Sequence, residues 1–579
     1  MKFKRVPLKV ITITDILETI NKQYGEIPAL RIKTKDGAFR TLSYVELGRR
    51  SVDMSSTLIK LGVAKNDRVA ILSESRPEWS IALFGIVSCA AITVPIDVKL
   101  TEKEIQFILS DSQAKCVIVS AKFLGLIDNI RSSLPDLKDI ILFDHSERTD
   151  VILLENLKMK EGEQKYNSIH PQDTAIIVYT SGTTGVAKGV ELTYDNLMFQ
   201  VRSLSDIIHY TNKNQFLSIL PLNHMLEITG GLIAPLYAGS CITYADSIKT
   251  TTMISLMKET HTTNMICVPL VLKMLHDGIM RKIEGFPAHK QKLFYRLLNI
   301  SKFLLKYNIR IGRLLFVSLH KEFGGRLRAF VSGGAPLNID IELNMNALGF
   351  RVLQGYGLTE TAPVIAVNTF KDNRFGSVGK PLPGVEVKIL KENETAKDGE
   401  IITRGPHLMR GYYRNPEKTA EVIKDGWLYT GDIGYLDKDG FLIISGRARN
   451  LIVLGAGKKV FPEEVEEVLN KSPYIKEICV LGKMATKGVR KGCEEVYAVI
   501  VPNFDLVEAK EKEDKNLIKN KIDSEINQLN VNLAEYKRVS DFEIWFDELP
   551  KTATRKIKRK VIADIIATRP QCEDKEISL

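Results

Sequence analysis

The sequence lacks an uninterrupted apolar run of the roughly 20 residues that a membrane-spanning helix requires. One stretch, 79–96, approaches that length, but it contains two serines and a glycine and passes into Ile-Thr-Val before Pro95. This pattern predicts a buried helix followed by a buried strand. The basic N-terminus is not followed by an apolar segment, so we predict neither a signal peptide nor a transmembrane helix.

Cysteine is also scarce. The seven cysteines are scattered, with no Cys-x-x-Cys pair and no histidine at metal-ligand spacing, which favours free thiols in a reducing cytoplasm. With 579 residues, 44% of them hydrophobic and 26% charged, the chain has the composition of a globular protein of two or more domains. Nothing in it resembles a disordered tail or a repeat array.

The net charge of +11 is concentrated in one segment. Residues 281–328 carry twelve lysines and arginines against two acids, Glu284 and Glu322, so the rest of the chain is close to neutral. A single basic patch argues against a general nucleic-acid binder, and we predict no nucleic-acid partner.

Short apolar runs alternate with helix-like segments in the first part of the chain. Strands are predicted at 68–73, 115–120 and 139–143, with helices at 102–110 and 123–132. This βαβ order is typical of a doubly wound α/β fold.

The pattern changes near residue 377. Short strands separated by Pro-Gly and Asp-Gly turns predict a small β-rich subdomain at about 377–445, and an α+β pattern follows it. We therefore predict a large N-terminal domain, 1–448, and a small C-terminal domain, 449–579.

A glycine-rich loop follows the predicted buried strand 174–180. It reads Tyr179-Thr-Ser-Gly-Thr-Thr-Gly-Val-Ala-Lys-Gly189, and loops at such strand ends bind ligands in open α/β sheets. Its hydroxyl and N–H groups can wrap phosphate oxygens, and it is not a Walker A motif, because no Gly-Lys-Ser/Thr stands at the required spacing. The candidate phosphate-binding residues are Thr180, Ser181, Gly182, Thr183, Thr184, Gly185 and Lys188.

The full eleven-residue run resembles the phosphate loop of the adenylate-forming superfamily, which includes acyl-CoA synthetases, peptide-synthetase adenylation domains and luciferases. Many members have proline where this chain has Ala187, but acyl-CoA synthetases with alanine there exist. Further family motifs occur in order over nearly the whole chain, and the chain looks most like long-chain fatty acid–CoA ligases. The resemblance implies that the C-terminal domain is mobile.

Two segments resemble the family's adenine-site motifs. One is Val331-Ser-Gly-Gly-Ala-Pro-Leu, and the other, Gln354-Gly-Tyr-Gly-Leu-Thr-Glu360, is similar to the signature whose aromatic stacks on adenine and whose glutamate binds Mg²⁺. A carboxylate beside a polyphosphate would be repelled unless a cation bridged them, which supports a metal role for Glu360. The implied nucleotide-binding residues are Gly333, Gly334, Ala335, Pro336, Gln354, Gly355, Tyr356, Gly357 and Thr359.

Later motifs resemble the family's ribose site and hinge. Asp432, in Trp-Leu-Tyr-Thr-Gly-Asp, and Arg447 resemble the pair that holds the ribose hydroxyls. Arg449 stands where family hinges carry aspartate or lysine, although a plain surface cation remains the alternative. The glycine loop beside it, with Gly455 and Gly457, is implied to lie on the CoA side.

The segment Leu549-Pro-Lys-Thr-Ala-Thr-Arg-Lys556 resembles the last family motif, with Arg555 in place of the usual glycine. The resemblance implies that Lys556 is the catalytic lysine, whose ammonium can bridge the attacking carboxylate and the α-phosphate. A bare charge run is the alternative. The catalytic residues implied by all motifs together are Thr183, His224, Glu360 and Lys556.

Two features of the sequence bear on the identity of the carboxylic acid that would be activated. The segment Leu220-Pro-Leu-Asn-His224 resembles the start of the helix that lines the acyl pocket, and the uncharged residues after it favour an apolar tail. His224 either helps to position the carboxylate or is structural. Farther on, four apolar residues at helical spacing alternate with basic ones within 290–320, which predicts either a peripheral membrane contact or a helix packed on the core. These residues are Leu293, Leu297, Ile300 and Leu304.

The resemblance implies a two-step ligase. Mg·ATP and a long-chain fatty acid would give acyl-adenylate and pyrophosphate, and CoA would then give acyl-CoA and AMP. An acyl carrier protein as acceptor is one alternative. A non-catalytic membrane-associated adenylate-binding protein is another, against which the intact set of Thr183, Glu360, Asp432 and Lys556 argues. We expect a cytoplasmic location, with peripheral contact to the inner face of the membrane.

Overall fold

The apolar runs identified in the sequence become the central strands of two mostly parallel β-sheets. The computed structural model describes residues 13–157, 168–181, 187–454, 458–484, 494–506, 515–551 and 557–568. The elements up to residue 157 are α1 Ile13–Tyr24, β1 Pro28–Lys33, β2 Phe39–Ser43, α2 Tyr44–Lys60, β3 Arg68–Leu72, α3 Pro77–Ser88, β4 Ile92–Pro95, α4 Glu102–Asp111, β5 Ala114–Val119, α5 Ala121–Arg131, β6 Asp139–Leu142 and β7 Ile152–Leu153.

The next part of the chain carries the predicted phosphate and adenine motifs. Its elements are β8 Thr174–Ser181, β9 Ala187–Thr193, α6 Tyr194–Ile208, β10 Gln215–Ser218, a π-helix Leu226–Ile233, α7 Ala234–Tyr237, β11 Cys241–Tyr244, α8 Thr250–Thr260, β12 Asn264–Cys267, α9 Pro269–Glu284, α10 Ala288–Leu305, α11 Gly312–Leu315, α12 Val317–Glu322, β13 Ala329–Ser332, α13 Ile339–Ala347, β14 Arg351–Gly357, a 3₁₀ turn Thr359–Thr361 and β15 Val364–Val367.

Shorter elements follow. They are β16 Lys380–Pro381, β17 Glu386–Leu390, β18 Gly399–Arg404, β19 Gly411–Tyr412, α14 Pro416–Val422, β20 Ile423–Lys424, β21 Trp427–Leu436, β22 Leu442–Arg447, β23 Ile452–Val453, β24 Lys459–Val460, α15 Pro462–Leu469, β25 Ile475–Met484, β26 Glu494–Pro502, α16 Lys515–Asn530, β27 Asp541–Ile544 and α17 Arg559–Thr568.

The first sheet has the strand order β19-β9-β8-β4-β3-β5-β6-β7 and is parallel from β8 to β7. The second has the order β16-β15-β14-β13-β12-β10-β11-β1-β2 and is parallel from β14 to β1. Strands with helices as crossover connections give the predicted doubly wound α/β architecture.

The apolar stretch 79–96 is a buried helix, α3, followed by the buried strand β4, as the sequence predicts. Within the described ranges, no helix combines the length and the apolar character that crossing a bilayer requires. The cysteines of the described residues are all buried and free of disulfide bonds.

Local sequence signals place several helix starts. Ser43, Thr101 and Thr193 each accept a hydrogen bond from the backbone N–H three residues on, and the side chain at that position accepts from the cap residue in return. Such capping boxes satisfy N–H groups that a helix leaves unpaired at its start. The box at Thr193 starts α6 directly after β9 and therefore fixes where the strand that follows the glycine-rich loop ends.

Contacts divide the chain into two compact units. One comprises Met1–Val387, Thr403–Tyr429 and Lys438–Leu442, and the other comprises Lys388–Ile402, Thr430–Asp437 and Ile443–Leu579. The second unit contains a three-stranded sheet of β25, β26 and β27, with α15 and α16 packed around its apolar residues. The boundary at 448/449 and the subdomain at 377–445 stay predictions.

Candidate active site

The two strands that flank the glycine-rich loop form an antiparallel pair. Thr180 on β8 lies opposite Lys188 on β9, and Tyr179 lies opposite Gly189. Only glycine fits at 189, because a Cβ atom there would lie 2.8 Å from Ile177 Cγ2. The backbone of Ser181 ends β8, while the predicted phosphate residues Gly182, Thr183, Thr184 and Gly185 lie outside the described residues.

The short strand β19 joins this loop to the turn that carries Glu360. Tyr412 lies opposite Val190 on β9, and the Tyr413 N–H donates to the Gly189 carbonyl at 2.7 Å. Just before β19, the Met409 N–H donates to the Glu360 carbonyl at 2.8 Å. The strand β9, which follows the glycine-rich loop, and the 3₁₀ turn at Glu360 are therefore bonded to the same stretch of backbone.

Tyr412 brings two predicted site residues together. Its hydroxyl donates to Glu360 Oε1 at 3.0 Å, and Lys188 Nζ lies 5.3 Å from the centroid of its ring, within cation–π distance. Burial, followed by the neighbouring carboxylate, raises the pKa of Tyr412, so the phenol stays a hydrogen-bond donor. Lys188 and Glu360 make no direct ion pair in the described structure, which leaves the ammonium available to phosphate and the carboxylate available to a cation.

The donor set at Glu360 fits a magnesium ion carried by a nucleotide. Within the described ranges, no three His, Cys, Asp or Glu side chains are grouped closely enough to hold a metal ion by themselves. Mg²⁺ is commonly held by one or two carboxylates together with substrate phosphates and water, and a single glutamate beside the predicted phosphate-binding segment is compatible with that pattern. Glu360 is the residue of this chain that would hold it.

Strand β14 delivers the predicted adenine signature. Tyr356 and Gly357 end the strand half-exposed, and Gly357 cannot carry a side chain, because a Cβ atom would lie 1.7 Å from the Pro363 carbonyl oxygen. Behind them, Gln354 Nε2 donates to Glu342 Oε2 at 2.8 Å, and the Gly376 N–H donates to the same oxygen at 2.9 Å. Burial raises the pKa of Glu342 to about 7.

The predicted segment at 333–336 lies beside this strand end. Strand β13 is parallel to β14, with Ser332 opposite Gln354, so Gly333 follows at the same edge of the sheet as Tyr356. Gly334 has a φ of +85°, which favours glycine, and the residues after it, Ala335 and Pro336, are exposed. Gly355 and Thr359 lie with the half-exposed residues of the neighbouring signature.

Asp432 and Arg447 form an ion pair in the second unit. Arg447 Nε lies 3.0 Å from Asp432 Oδ1, and the aspartate side chain is buried. Thr430 Oγ1 accepts from the Asp432 N–H at 3.1 Å, and this hydrogen bond fixes the backbone of Asp432. Arg449 is exposed in the 3₁₀ turn Ala448–Asn450, and Gly455, Gly457 and Lys556 lie outside the described residues.

His224 begins a helical segment rather than standing in a loop. Its carbonyl accepts from the N–H groups of Glu227 and Ile228, each at 3.0 Å, and a π-helix follows. The Glu227 side chain is buried and accepts a hydrogen bond from Ser218 Oγ at 2.5 Å. Burial raises the pKa of Glu227 to about 8, so this carboxyl behind the predicted acyl segment is largely protonated at neutral pH.

Sequence reasoning missed Tyr412, Glu342 and Glu227. Each bonds a side chain on a different element: Tyr412 bonds Glu360, Glu342 bonds Gln354, and Glu227 bonds Ser218. An aromatic residue in a short run and an acid among other polar residues, as Glu342 is in α13, carry no spacing signal. Glu227 could have been found, because a single acid within a mostly apolar segment is unusual.

The sequence model of the AMP-binding enzyme family matches residues 17–413, and that of the AMP-binding enzyme C-terminal domain matches residues 464–556. The first match alone covers more than half of the chain. This protein therefore belongs to the AMP-binding enzyme family, and the resemblance seen in the motifs is confirmed.

Individual relatives narrow the comparison. A long-chain-fatty-acid–CoA ligase of Mycobacterium bovis is 28% identical over 572 aligned positions, which cover 92% of this chain and 92% of that protein. The structure of a Mycobacterium tuberculosis fatty acyl CoA synthetase has a TM-score of 0.67 at 24% identity and covers 97% of this chain and 100% of its own. The o-succinylbenzoate coenzyme A synthetase of Bacillus subtilis, solved with ATP and a magnesium ion, has a TM-score of 0.73 at 25% identity over 95% and 99% of the two chains. These likenesses confirm the predicted fold class.

Replacing Tyr412 with phenylalanine removes the hydroxyl that donates to Glu360 and keeps the ring beside Lys188. A hydrogen bond to a charged group contributes about 1.5–3 kcal/mol, so we expect pyrophosphate release to fall roughly 10- to 100-fold. Tyr413→Phe is the matched control, since it removes a hydroxyl one residue away that makes no bond to Glu360. Equal losses in both variants would contradict the role given to Tyr412.

The raised pKa of Glu227 makes a prediction for stability. The folded state favours the protonated carboxyl, so its contribution is complete below the ordinary pKa of 4.5 and is lost as the pH rises through about 8. Glu227→Gln cannot ionise, and its Tm relative to the wild type should therefore rise between pH 5 and pH 8.5. Thermal unfolding at several pH values checks this, with the exposed Glu417→Gln as control. A trend shared by both variants would exclude the assignment.

Proposed function

We propose that this chain activates long-chain fatty acids with ATP and transfers the acyl group to CoA. The carboxylate attacks the α-phosphorus of ATP, a P–O bond forms and pyrophosphate leaves. The thiol of CoA then attacks the acyl carbon of the adenylate, and AMP leaves. The observation that carries the proposal is that Lys188 and Glu360 both contact Tyr412, at the end of the strand from which the glycine-rich loop opens.

Other residues take roles by motif. Thr183 and the loop residues around it bind the β- and γ-phosphates, and Tyr356 stacks on the adenine. Asp432 accepts from the ribose hydroxyls while Arg447 holds its carboxylate in place. Glu360 would hold a magnesium ion together with the phosphates, and the ion would neutralise part of the polyphosphate charge. Lys556 stabilises the charge that builds between the carboxylate and the α-phosphate.

The long-chain assignment has two supports. The segment that starts at His224 continues as a buried, mostly apolar π-helix, in which the one acid, Glu227, is largely neutral. A charged amino-acid substrate would find no fixed counter-charge there. The name of the Mycobacterium bovis relative supports both the long-chain acid and CoA.

Pyrophosphate release measured over a length series of fatty acids, with CoA or a holo acyl carrier protein as acceptor, tests the proposal. We expect release to be greatest with long-chain acids and thioester to form with CoA. Release with amino acids or aromatic acids alone would overturn the long-chain assignment, and thioester only on the carrier protein would overturn CoA. No release with any acid would favour the non-catalytic alternative.

Lys556→Ala separates the two steps. Removing a preorganised charge from the site of bond formation typically costs about 10²- to 10³-fold, so adenylation should fall by at least that factor. Conversion of supplied acyl-AMP and CoA to thioester should persist, because that step does not need this ammonium. The control is Lys558→Ala, and equal loss of both steps in Lys556→Ala would contradict the two-step scheme.

We further propose that the segment around α10 contacts a membrane surface. Helix α10 buries Phe294, Leu298 and Leu305 against the core, and several of its other apolar residues are exposed. Around it the structure exposes an unusual number of large apolar side chains, here called the apolar patch: Phe286, Leu293, Tyr295, Ile300, Phe303, Tyr307, Ile309, Leu314 and Val317.

The predicted stripe on α10 is divided: Leu297 is half-buried and packs against the core, whereas two other members are exposed. Of its members, Leu293 is 55% exposed and Ile300 is 44% exposed. Lys292 and Arg296 line a shallow groove together with residues of the apolar patch. Apolar side chains mixed with cations suit the boundary between acyl chains and anionic headgroups.

A triple variant, Leu293→Gln with Ile300→Gln and Phe303→Gln, should lose binding to vesicles that contain anionic lipid. These residues are exposed, so pyrophosphate release with a short water-soluble fatty acid should stay unchanged. Co-sedimentation measures binding, and Val45→Gln with Leu517→Gln is the control at exposed apolar sites elsewhere. If the triple variant binds vesicles as well as the wild type does, the proposed membrane contact is wrong.

A further inference from the structure

Three arginines come together at the edge of the second sheet that lies away from the nucleotide motifs. Strands β13 and β14 are parallel, with Ala329 opposite Arg351. Arg351 is the first residue of β14 and Arg328 directly precedes β13, so both stand at the amino ends of their strands. Arg310 reaches the same region from the segment after α10. Together they are called the arginine cluster.

An aromatic ring and two oxygens hold the cluster. The guanidinium carbons of Arg328 and Arg351 each lie 5.7 Å from the centroid of the Phe370 ring. Arg351 Nη1 donates to the Phe370 carbonyl at 2.9 Å, and Arg310 Nη1 donates to Asn346 Oδ1 at 3.1 Å. Within the described structure, the buried Nε of Arg310 has no hydrogen-bond partner.

None of these guanidiniums makes an ion pair with a carboxylate of the described residues. The partly buried Arg76, by contrast, is paired with Glu78 at 2.8 Å and with Asp144 at 2.7 Å. Arg310 and Arg351 are partly withdrawn from water, and unpaired charges in that position raise the free energy of the folded protein, whereas Arg328 is exposed. An anion bound among the three would remove that cost.

The charges of the cluster act on one another. Burial, followed by the charge of Arg351, lowers the pKa of Arg310 to about 10. Burial and the charge of Arg328 lower the pKa of Arg351 in the same way. Both effects have the sign expected of cations that face each other without a counter-ion.

We propose that Arg310, Arg328 and Arg351 form a binding site for a phosphate group, separate from the proposed nucleotide site. Guanidinium forks match the oxygens of a phosphate, and a phosphate dianion offsets two cations where a carboxylate offsets one. The site does not depend on acyl activation, because it uses none of the residues assigned to that reaction.

The phosphate has two possible sources. Arg310 directly follows Ile309 and is close in sequence to Leu314, which are 48% and 76% exposed members of the apolar patch. A phosphate monoester headgroup of a lipid would reach the cluster while its acyl chains met the patch. A free phosphate would bind the same guanidiniums without the patch.

The test compares Arg310→Gln combined with Arg328→Gln against Arg326→Gln, an exposed arginine next to the cluster that makes no ion pair in the described structure. Two probes are used on the full chain: stabilisation of Tm by inorganic phosphate, and binding to vesicles with phosphatidic acid against vesicles with equal charge from phosphatidylserine. Arg328→Gln alone, at an exposed position, guards against loss of folding in the double variant.

We expect the double variant to bind at least one probe about tenfold more weakly, the single Arg328→Gln variant to show a smaller loss, and Arg326→Gln to change less than twofold. Loss of the phosphatidic acid preference identifies a lipid headgroup, and loss of the phosphate effect alone identifies a free phosphate. The proposal is overturned if the double variant and Arg326→Gln behave alike with both probes, whatever the fatty-acid assays show.

Discussion

The hydrogen bond from Tyr412 to Glu360 is the interaction around which the candidate site is arranged. Strand β19 has only two residues, yet it pairs with β9 and follows the amide that holds the Glu360 carbonyl. The phenol hydroxyl donates to the carboxylate, and the ring lies within cation–π distance of Lys188. A cation and an anion are thus held near each other without neutralising each other, which suits a site for phosphate and a metal ion.

Close backbone approach supports this arrangement. Gly189 and Gly357 stand where any Cβ atom would collide with a neighbouring strand or carbonyl, so both strand ends can lie flush with the segments that follow them. Two buried carboxyls, Glu342 and Glu227, lie in the interior of the first unit. Their raised pKa values favour the neutral, protonated form. Glu342 holds Gln354 and the Gly376 loop with one oxygen, so it links the adenine signature to the chain beyond it.

The first unit carries different chemistry on its different surfaces. The carboxyl ends of β13 and β14 carry the adenine segments, and the amino ends of the same strands carry unpaired arginines. The segment 281–328, which carries the basic excess seen in the sequence, contributes the exposed apolar patch. It also contributes Arg310 and Arg328 to the arginine cluster. One stretch of sequence thus contributes to two surfaces, because helix and strand direct their side chains differently.

The sequence by itself determined the family, the α/β class and the strands and helices of the first part, because apolar periodicity and the ordered motifs are local properties. It placed Lys188, Glu360 and Asp432 in roles by resemblance, and it predicted that 79–96 is a helix and a strand rather than a membrane span. Only the tertiary structure decided that Tyr412 contacts both Lys188 and Glu360, that Leu293 and Ile300 face outward while Leu297 packs on the core, and that three arginines meet without an acid. Each of those depends on elements far apart in the chain, and a pattern of neighbouring residues carries no information about which distant side chain lies beside it.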